Sequence, residues 1–436
     1  MYQEKLEKLI KSNTMKKLLL SGLLLSMLIL TGCFKDDDTP IIIEETTIII
    51  NGGGTGGGSS VVDVTGAITE NTTWTNDNIY KLNQKVVVDN GATLTIQEGT
   101  IIKGSPGTGT LASALIIARG AKINAVGTPT QPIIFTSSTD DIEIGETSGT
   151  NLDENDRGLW GGLIILGNAP CSFSGDITEA QIEGIPADDT FGLYGGTDPE
   201  DNSGVLSYIS IRHGGALIGE GNEINGLTLG GVGNGTIINN IEVVANVDDG
   251  IEFFGGTVNA SNLLVWAQGD DALDIDQAYS GTIDNAVVVL GDFSDHAFEI
   301  DGPEGSATGS FTLQNATIIG NLTTENGEYA DYRSKAMGNT SNIFAYGFKA
   351  SSDIELDNDG VATNYNDGLL TFGTWEIVLP EGVTDVTSLF ANKAETVTVT
   401  GFGDTASAVT LGSQTVGATT SSLAWTYANA TANLGF

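Results

Sequence analysis

The sequence predicts an all-β fold, a parallel β-helix with coils of about 22–25 residues that ends in a C-terminal β cap. The first observation is a repeat: Asn240, Asn262 and Asn285 each open an apolar run, and they stand 22 and 23 residues apart. The second is that each unit holds two short β-rich runs and glycine-rich corners, without the periodicity of an amphipathic helix. A looser fourth unit opens at Asn315. Units of this length bury a core only against their neighbours, so the repeat indicates stacked coils.

The repeated asparagines are expected to stack at one corner of the coil. Asparagine tolerates the left-handed backbone conformation that tight corners need, and its side chain readily bonds nearby backbone groups. We therefore predict a ladder of Asn240, Asn262 and Asn285 in which each side chain bonds neighbouring backbone. This interpretation is structural and assigns the asparagines no ligand.

The solenoid is predicted to occupy residues 61–340, and residues 341–436 are expected to form the last coils and the cap. The strand patterns after 340 are rich in threonine and turns, as in 395–400. A cap is expected because the end of a β-helix otherwise presents unpaired backbone groups. The sequence shows no second linker after residue 60, so we expect one continuous solenoid. We also expect a monomeric protein.

The N-terminal region has the pattern of an export signal. Residues 1–14 fit neither a targeting segment nor a domain and are interpreted as an over-extended gene start. Residues 15–32 combine a basic start, a short apolar run and small residues before Cys33, which resembles a bacterial lipoprotein signal. That resemblance implies cleavage before Cys33 and a lipid on its thiol. Residues 33–60 then form an acidic and glycine-rich tether, whose 34–38 segment resembles the surface-export signal of Bacteroidetes lipoproteins.

The charge of the chain excludes several classes of partner. The chain has 17 Lys and Arg against 56 Asp and Glu, a net charge of −39, and without residues 1–32 the balance is 12 against 54, or about −42. Nucleic acid and anionic lipid surfaces are poor partners for such a chain, so we expect membrane contact only through the lipid anchor. Cations and neutral or basic ligands are favoured. Cys171 has no partner once Cys33 is acylated, so no internal disulfide is expected.

Acidic runs follow the repeated apolar runs on three successive coils, at 248–252, 270–274 and 295–299. If Ile251 and Phe253 point inward, strand alternation directs the residue between them outward. Stacked strands lie roughly 4.8 Å apart, so the outward carboxylates are predicted to form an exposed column, with a second column beginning beside it. The predicted column members, which are also the candidate Ca²⁺ ligands, are Glu252, Asp274 and Glu299 in the first column and Asp276 and Asp301 in the second.

Several segments resemble a family of uncharacterised secreted or lipid-anchored β-helix proteins from Bacteroidetes and their relatives. The resemblance spans residues 61 to about 300 and implies a right-handed β-helix. It implies no activity. The segments that carry it are 66–69, 73–74, 92–96, 160–170, 222–233, 254–259 and 279–281.

The acidic repeat also resembles the active-site face of polygalacturonases, which are inverting pectin hydrolases. The matching segments are 247–252, 270–272, 295–297 and 333–335. By that resemblance Asp249, Asp270 and Asp271 would supply the general acid and the water-activating bases, beside His296, and Arg333 with Lys335 would hold the sugar carboxylate. The departures are that both glycines flanking the histidine are replaced and that the Asn-Thr half of the first motif is missing. A strongly acidic face should also repel polygalacturonate.

Three interpretations of the acidic columns therefore stay open: structural corner residues, Ca²⁺ ligands or catalytic groups. Ca²⁺ is the candidate cofactor because it prefers oxygen ligands, and two histidines leave little for zinc. The expected function is a lipid-anchored, surface-exposed outer-membrane protein that binds an extracellular glycan or another polymer. The alternatives are a pectinase-like glycoside hydrolase and a structural or adhesive envelope protein. The hydrolase requires Arg333 and Lys335 on the acidic face, and we expect them to lie elsewhere.

Overall fold

The computed structural model describes residues 60–185, 189–217, 224–324 and 326–436, all within one compact unit, Ile42–Phe436. The predicted start 1–14, the signal 15–32, Cys33 and all of the tether except Ser60 lie outside the described residues. Among the described residues, no helix is long and apolar enough to span a membrane.

The chain forms a right-handed parallel β-helix, as predicted, in which 25 strands belong to one continuous sheet. In the N-terminal coils the strands are β1 (Ser60–Ile68), β2 (Thr72–Trp74), β3 (Asn78–Val88), β4 (Thr93–Ile96), β5 (Ile101–Gly104), β6 (Ala114–Ile117), β7 (Lys122–Val126), β8 (Ile133–Ser137), β9 (Leu163–Leu166) and β12 (Gly204–Arg212). Two short strands outside this sheet, β10 (Ala180–Gln181) and β11 (Leu193–Tyr194), pair in antiparallel fashion.

The repeat identified in the sequence forms the central and C-terminal coils. Their strands are β13 (Leu227–Gly230), β14 (Ile237–Val244), β15 (Ile251–Phe254), β16 (Asn259–Trp266), β17 (Leu273–Asp276), β18 (Thr282–Val289), β19 (Phe298–Ile300), β20 (Phe311–Ile319), β21 (Ala330–Tyr332), β22 (Gly338–Tyr346), β23 (Ile354–Leu356), β24 (Leu370–Phe372), β25 (Trp375–Ile377), β26 (Phe390–Asn392) and β27 (Ala406–Ala408). The helices in the described part of the chain are α1 (Asp359–Asn366), α2 (Tyr427–Ala432) and the 3₁₀ turns Gly109–Leu111, Ser174–Asp176, Thr190–Gly192, Val386–Leu389 and Thr420–Leu423.

Each central coil contributes one long strand and one short strand to the solenoid. The long strands β14, β16, β18, β20 and β22 stack in parallel, and the short strands β15, β17, β19, β21 and β23 stack beside them. The register advances by 22 residues from Ile241 to Leu263 and by 23 from Leu263 to Ala286. It then advances by 30 residues to Ala316 and by 27 to Ile343, because loops enlarge these coils at their corners. The predicted length of about 22–25 residues is therefore right for the central coils and too short for the later ones.

Apolar residues on alternate strand positions fill the interior of the solenoid. Ile251, Phe253, Leu273 and Ile275 are buried, as the inward half of the predicted alternation requires. Burying each such side chain stabilises the fold by about 1.5–3 kcal/mol. The residues between them therefore point to the outer side of the short-strand sheet, and the sequence pattern alone sets which side chains these are.

The asparagines form the predicted ladder, with a different bonding pattern. Asn240, Asn262 and Asn285 occupy equivalent places in β14, β16 and β18, with φ between 54° and 62°, and Asn315 and Asn342 continue the row with φ of 58°. Two pairs of these side chains bond each other along the axis: Asn285 Nδ2 donates to Asn262 Oδ1 at 2.7 Å, and Asn342 Nδ2 donates to Asn315 Oδ1 at 3.0 Å. Asn240 Nδ2 donates instead to Asn239 Oδ1 at 2.8 Å. The expected bonds to neighbouring backbone are thus replaced by amide-to-amide bonds in these pairs, because stacked corners bring one amide directly against the next. Asn285 also bonds backbone, but at the distant Thr419, whose N–H donates to Asn285 Oδ1.

The C-terminal region both closes the end of the core and runs back along its side. Phe372, Phe390 and Phe402 pack edge to face where the last strands end, which agrees with the expectation of a cap. The path of the final residues was not predicted from the sequence. In chain order, Thr415 contacts Glu376, Ala418 contacts Thr317, Thr419 contacts Asn285 and Ala428 contacts Glu242, so this segment returns across earlier and earlier coils.

We call residues 415–436 the C-terminal strap. Its buried Leu423 and Ala428 pack on an apolar stripe that the long strands present on their outer side. The stripe consists of Val244, Ala245, Leu264, Trp266, Ala267, Val287 and Val289. The strap is held in place because it covers apolar surface that would otherwise face water.

Candidate functional site on the acidic face

The outward side chains of the short strands form a column of carboxylates, which we call the acidic face. Glu252 is in register with Asp274, Asp274 with Glu299, Glu299 with Asp331, and Asp331 with Glu355. The column thus crosses five coils and extends two coils beyond the segment that the sequence singled out. Asp331 and Glu355 were missed, although 330–332 and 354–356 carry the same apolar–acidic–apolar alternation.

The column is not exposed, contrary to the prediction. Glu252 is 6% exposed and Asp331 5% exposed, and Asp274, Glu299 and Glu355 are half-buried. The reason is that neighbouring corners and side chains cover the column. Asn225 Nδ2, for example, donates a hydrogen bond to Glu252 Oε2.

The corner that precedes the short strands carries a second row, in which side chains accept hydrogen bonds from the backbone of the next coil. Asn225 Oδ1 accepts from the Asp249 N–H at 3.2 Å, Asp249 Oδ1 from the Asp271 N–H at 2.9 Å, and Asp271 Oδ1 from the His296 N–H at 2.8 Å. The predicted catalytic residues Asp249, Asp271 and His296 therefore do stack on successive coils. Their bonds give the row a structural role, since each side chain pairs a backbone donor of its neighbour.

Asp271 also orients the imidazole of His296. Nδ1 of His296 lies 2.8 Å from Asp271 Oδ1 and 3.7 Å from Glu299 Oε2. Burial disfavours the charged imidazole, but the hydrogen bond and the negative charge of Asp271 outweigh it and raise the pKa of His296 to about 9. His296 is therefore a cation at neutral pH and offsets part of the negative charge around it.

Three carboxylates at the upper end of the acidic face lie unusually close together. One oxygen from each of Asp249, Glu252 and Asp274 lies within 4.8 Å of the other two. Burial is the main cause that raises the pKa of all three groups well above the usual range. The charge of Asp274 adds to the effect on Asp249 and Glu252, and the charges of Asp271, Asp276 and Asp301 add to the effect on Asp274. Oδ1 of Asp274 is buried and has no hydrogen-bond partner among the described residues. This cluster therefore lacks positive charge that it needs when it is ionised.

Asp270 lies at the rim of the same corner. One of its oxygens lies within 4.8 Å of oxygens of Asp248 and Asp249. Burial and then the charges of Asp271 and Asp295 raise the pKa of Asp270 to about 6. An inverting hydrolase separates its two carboxyl groups by ~6.5–9.5 Å to admit water, so Asp249 and Asp270 are closer than that mechanism requires.

The second predicted column, Asp276 and Asp301, is also present and is joined by Arg333. The Arg333 guanidinium donates to Asp301 Oδ2 from Nη2 at 2.6 Å and from Nε at 3.0 Å, and it also pairs with Glu299. Two of the five predicted Ca²⁺ ligands, Glu299 and Asp301, are thus already neutralised by a side chain from the next coil. Arg333 was expected to lie away from this face, and that expectation is wrong.

Lys335 lies at a cavity of about 540 Å³ beside the second column. Burial is the main cause that raises the pKa of Asp276, to about 7, at the same cavity. The polar side chains around it are Asp276, Asp301, Glu304, Ser334, Lys335 and Asn358. Lys335 and Arg333 therefore both border the acidic face, but Arg333 is occupied by carboxylates of the protein itself.

A match to a protein family agrees with this architecture. The family described as "Pectate-lyase like beta helix domain" matches residues 66–429. Among solved structures, a pectin methylesterase from Aspergillus niger aligns at 11% identity over 82% of this chain and 87% of its own, with a TM-score of 0.30. A comparison with curated proteins finds no match. The family match covers most of the chain, and the chain therefore belongs to the pectate-lyase-like β-helix family.

Proposed function

We propose that the chain is a lipid-anchored, surface-exposed β-helix protein that binds an extracellular glycan or another polymer along the acidic face, with Ca²⁺ as its cofactor. The observation that carries the proposal is the row of in-register carboxylates across five coils. A row along the solenoid axis is suited to an extended ligand, because equivalent groups recur at each strand spacing of roughly 4.8 Å. The anchor rests on the sequence pattern that ends at Cys33.

An exposed aromatic residue in the loop that leads to Asp295 supports a carbohydrate ligand. Phe293 is 67% exposed and lies in the loop between β18 and β19, two residues before Asp295. The Arg157 guanidinium lies 4.6 Å from the centre of its ring and leaves the rest of the ring open to solvent. An apolar ring next to hydrogen-bonding carboxylates offers both kinds of contact that a sugar ring makes, apolar stacking and polar hydrogen bonds.

The cluster of Asp249, Glu252 and Asp274 is the part of the face that would hold Ca²⁺. Ca²⁺ takes oxygen ligands at 2.3–2.6 Å, so oxygens on opposite sides of one ion stand up to roughly 5 Å apart. The three carboxylates satisfy that limit, and the unpaired Oδ1 of Asp274 provides an oxygen that no protein donor uses. A bound ion would supply the positive charge that the cluster lacks, and its open coordination positions would accept hydroxyl or carboxylate oxygens of a polymer.

The proposal is tested by polymer binding with and without Ca²⁺. The purified protein would be incubated with insoluble or immobilised polysaccharides in millimolar Ca²⁺ or in a chelator. We expect retention on at least one polymer in Ca²⁺, a loss of retention in chelator, and a loss in the Glu252→Gln variant. Glu98→Gln, a change of an exposed carboxylate at an N-terminal coil, is the matched control and should bind like the wild type. Equal retention of Glu252→Gln and wild-type protein would contradict the assignment of this face.

A pectinase-like hydrolase is the second candidate, because Arg333 lies on the acidic face. It ranks second because Arg333 is paired with Glu299 and Asp301, and because Asp249 and Asp270 are closer than an inverting mechanism requires. The same binding reactions decide between the two functions if they are also assayed for new reducing ends. A hydrolase should release them from pectin, and Asp270→Asn should abolish the release while polymer binding persists. If no reducing ends appear with a polymer that binds, the chain is a binding protein. If nothing binds at all, a structural or adhesive role in the envelope is the remaining interpretation.

A further inference from the structure

A second group of carboxylates lies two coils further along the acidic face, away from the cluster around Asp274. Asp331 in β21 is in register with Glu355 in β23, and Asp357 follows directly after β23. One oxygen from each of these three side chains lies within 4.8 Å of the other two. The group stands beyond the segment in which the sequence placed candidate ligands.

Asp331 has an unpaired oxygen in a buried position. The residue is 5% exposed, and its Oδ1 is buried without a hydrogen-bond partner among the described residues. Oδ2 lies 3.9 Å from Arg333 Nε, which is too long for a hydrogen bond. Leaving a buried charged oxygen unpaired is unfavourable, so this carboxylate indicates a partner that is not a protein side chain.

The basic side chains that contact this part of the face already form salt bridges. Arg333 pairs with Glu299 and Asp301. Lys393 Nζ lies 3.0 Å from Asp353 Oδ2 and 2.8 Å from Glu355 Oε2. After these pairings no other basic side chain of the described residues lies within salt-bridge distance of Asp331 or the exposed Asp357, apart from the 3.9 Å approach of Arg333 to Asp331. The negative charge of the group therefore exceeds the positive charge that the fold provides.

We propose that Asp331, Glu355 and Asp357 form a binding site for a hard divalent cation, with Ca²⁺ as the ion that fits best. Each residue offers an oxygen, and the three oxygens lie within the span of roughly 5 Å that one Ca²⁺ ion bridges. Asp357 Oδ2 accepts a hydrogen bond from Asn358 Nδ2 at 3.1 Å, and Glu355 Oε2 is taken by Lys393, which leaves Asp357 Oδ1 and Glu355 Oε1 to face the ion. Water enters from the side of the exposed Asp357 and completes the coordination shell.

An ion at this site would hold adjacent coils together near the capped end of the solenoid. Asp331 and Glu355 belong to neighbouring strands, so coordination by both cross-links them and removes the repulsion between stacked carboxylates. This role does not depend on polymer binding. The site would act even if the polymer-binding proposal failed.

The test is the number of Ca²⁺ ions bound by the purified protein, measured by titration calorimetry after treatment with chelator. We expect two equivalents for the wild type, one for Asp331→Asn and one for Asp274→Asn, which removes an oxygen of the other cluster. Asp331→Asn should also melt at or above the wild-type temperature in chelator, because it removes an unpaired buried charge, and it should lose part of the rise that Ca²⁺ gives the wild type. Mg²⁺, which demands shorter bonds and ideal octahedral geometry, should bind more weakly.

Two further variants help to interpret the calcium titration. Asp357→Asn changes an exposed residue and should weaken the same equivalent by about tenfold without changing the melting temperature in chelator. Glu98→Gln should bind as the wild type does. If Asp331→Asn and Asp357→Asn both retain the wild-type number of equivalents and its affinity, Asp331 is simply protonated in the fold and the proposal is overturned.

Discussion

At the scale of single residues, the acidic side chains have different roles, and the role of each depends on the group that donates a hydrogen bond to its carboxylate. Asp271 accepts a hydrogen bond from the backbone N–H of His296 and lies against its imidazole, so it stabilises the corner between the two coils. Asp301 is bound by Arg333 through two nitrogen atoms. Asp274 keeps one buried oxygen without a partner. Residue type alone cannot distinguish these roles, because all three are aspartates that recur in similar sequence contexts.

The contrast between these aspartates predicts how Asp274→Asn should behave. The amide keeps the shape of the carboxylate but removes a buried negative charge beside Asp249 and Glu252. In chelator we expect the variant to be more stable than the wild type by roughly 1–3 kcal/mol, since charge repulsion and an unpaired ionised oxygen are relieved. In millimolar Ca²⁺ the order should reverse or disappear. Urea denaturation at pH 7.5 under both conditions measures the effect, and a variant less stable than wild type in chelator would contradict it.

At the scale of elements, the sequence predicts where the Asn ladder lies but not which groups its side chains bond. Asn262 has a φ of 55° and accepts a hydrogen bond from Asn285. Asn262→Ala removes that bond and places a residue with a Cβ and no polar group in the left-handed region. We expect it to lower the free energy of unfolding by about 1–3 kcal/mol.

The neighbouring serine provides the control for this prediction. Ser261 lies one residue before Asn262 in β16 and has an ordinary extended backbone, so Ser261→Ala should change the free energy of unfolding by less than about 0.5 kcal/mol. Chemical denaturation of both variants in chelator measures the difference. Equal effects of the two substitutions would show that the ladder is not a stabilising element.

The C-terminal strap depends on side-chain burial rather than on a repeated pattern. Leu423 is fully buried against the apolar stripe on the long strands. Leu423→Ala should therefore reduce the free energy of unfolding by about 2–5 kcal/mol, the range for truncating a buried leucine. Leu411→Ala, at a residue that is 63% exposed, should have little effect. Thermal denaturation with both variants tests the prediction, and proteolysis that removes the strap before the core unfolds would show that it detaches independently.

The C-terminal strap is an example of a feature that the sequence alone does not predict. The period from Asn240 to Asn285 predicts the coils, and the alternation around Ile251 predicts which side chains face outward, because both follow from local strand geometry. The path of residues 415–436 depends on contacts with residues more than a hundred positions away, such as Asn285 with Thr419, and no local pattern encodes them. The burial of Glu252 was missed for the same reason, since Asn225 on another coil covers it.

At the scale of the whole molecule, the fold gathers negative charge that the chain could have dispersed. The chain carries a net charge of −39, and five of its carboxylates stack in register on one face of the solenoid, where stacking brings like charges to the strand spacing. Parallel in-register coils make this unavoidable, because equivalent positions of the repeat always become neighbours in space. The molecule can relieve the repulsion in two ways, by protonating carboxyl groups or by binding cations. The dependence of stability on pH distinguishes between them.

In the absence of divalent cations, stability should fall as the pH rises from about 5 to 8. Burial is the largest cause that raises the pKa values of Asp270, Asp276 and Asp331, to about 6, about 7 and about 8, whereas an unfolded aspartate titrates near 3.9. Between these values the folded chain binds more protons than the unfolded chain, so raising the pH favours unfolding. Asp276 and Asp331 each contribute on the order of 1 kcal/mol per pH unit while they titrate, and the exposed Asp270 contributes less because solvent screens its charge.

Bound Ca²⁺ should flatten this dependence, because an ion that replaces protons keeps the carboxylates ionised without repulsion. Its stabilisation follows RT ln(1 + [L]/Kd), roughly 2.7 kcal/mol at a hundredfold excess over Kd, and should grow with pH as protons cease to compete. Denaturation midpoints at pH 5, 6.5 and 8, in chelator and in millimolar Ca²⁺, measure both effects. Stability that rises with pH in chelator would show that the acidic face is stabilised by its own hydrogen bonds. Identical curves with and without Ca²⁺ would show that Ca²⁺ does not stabilise the protein.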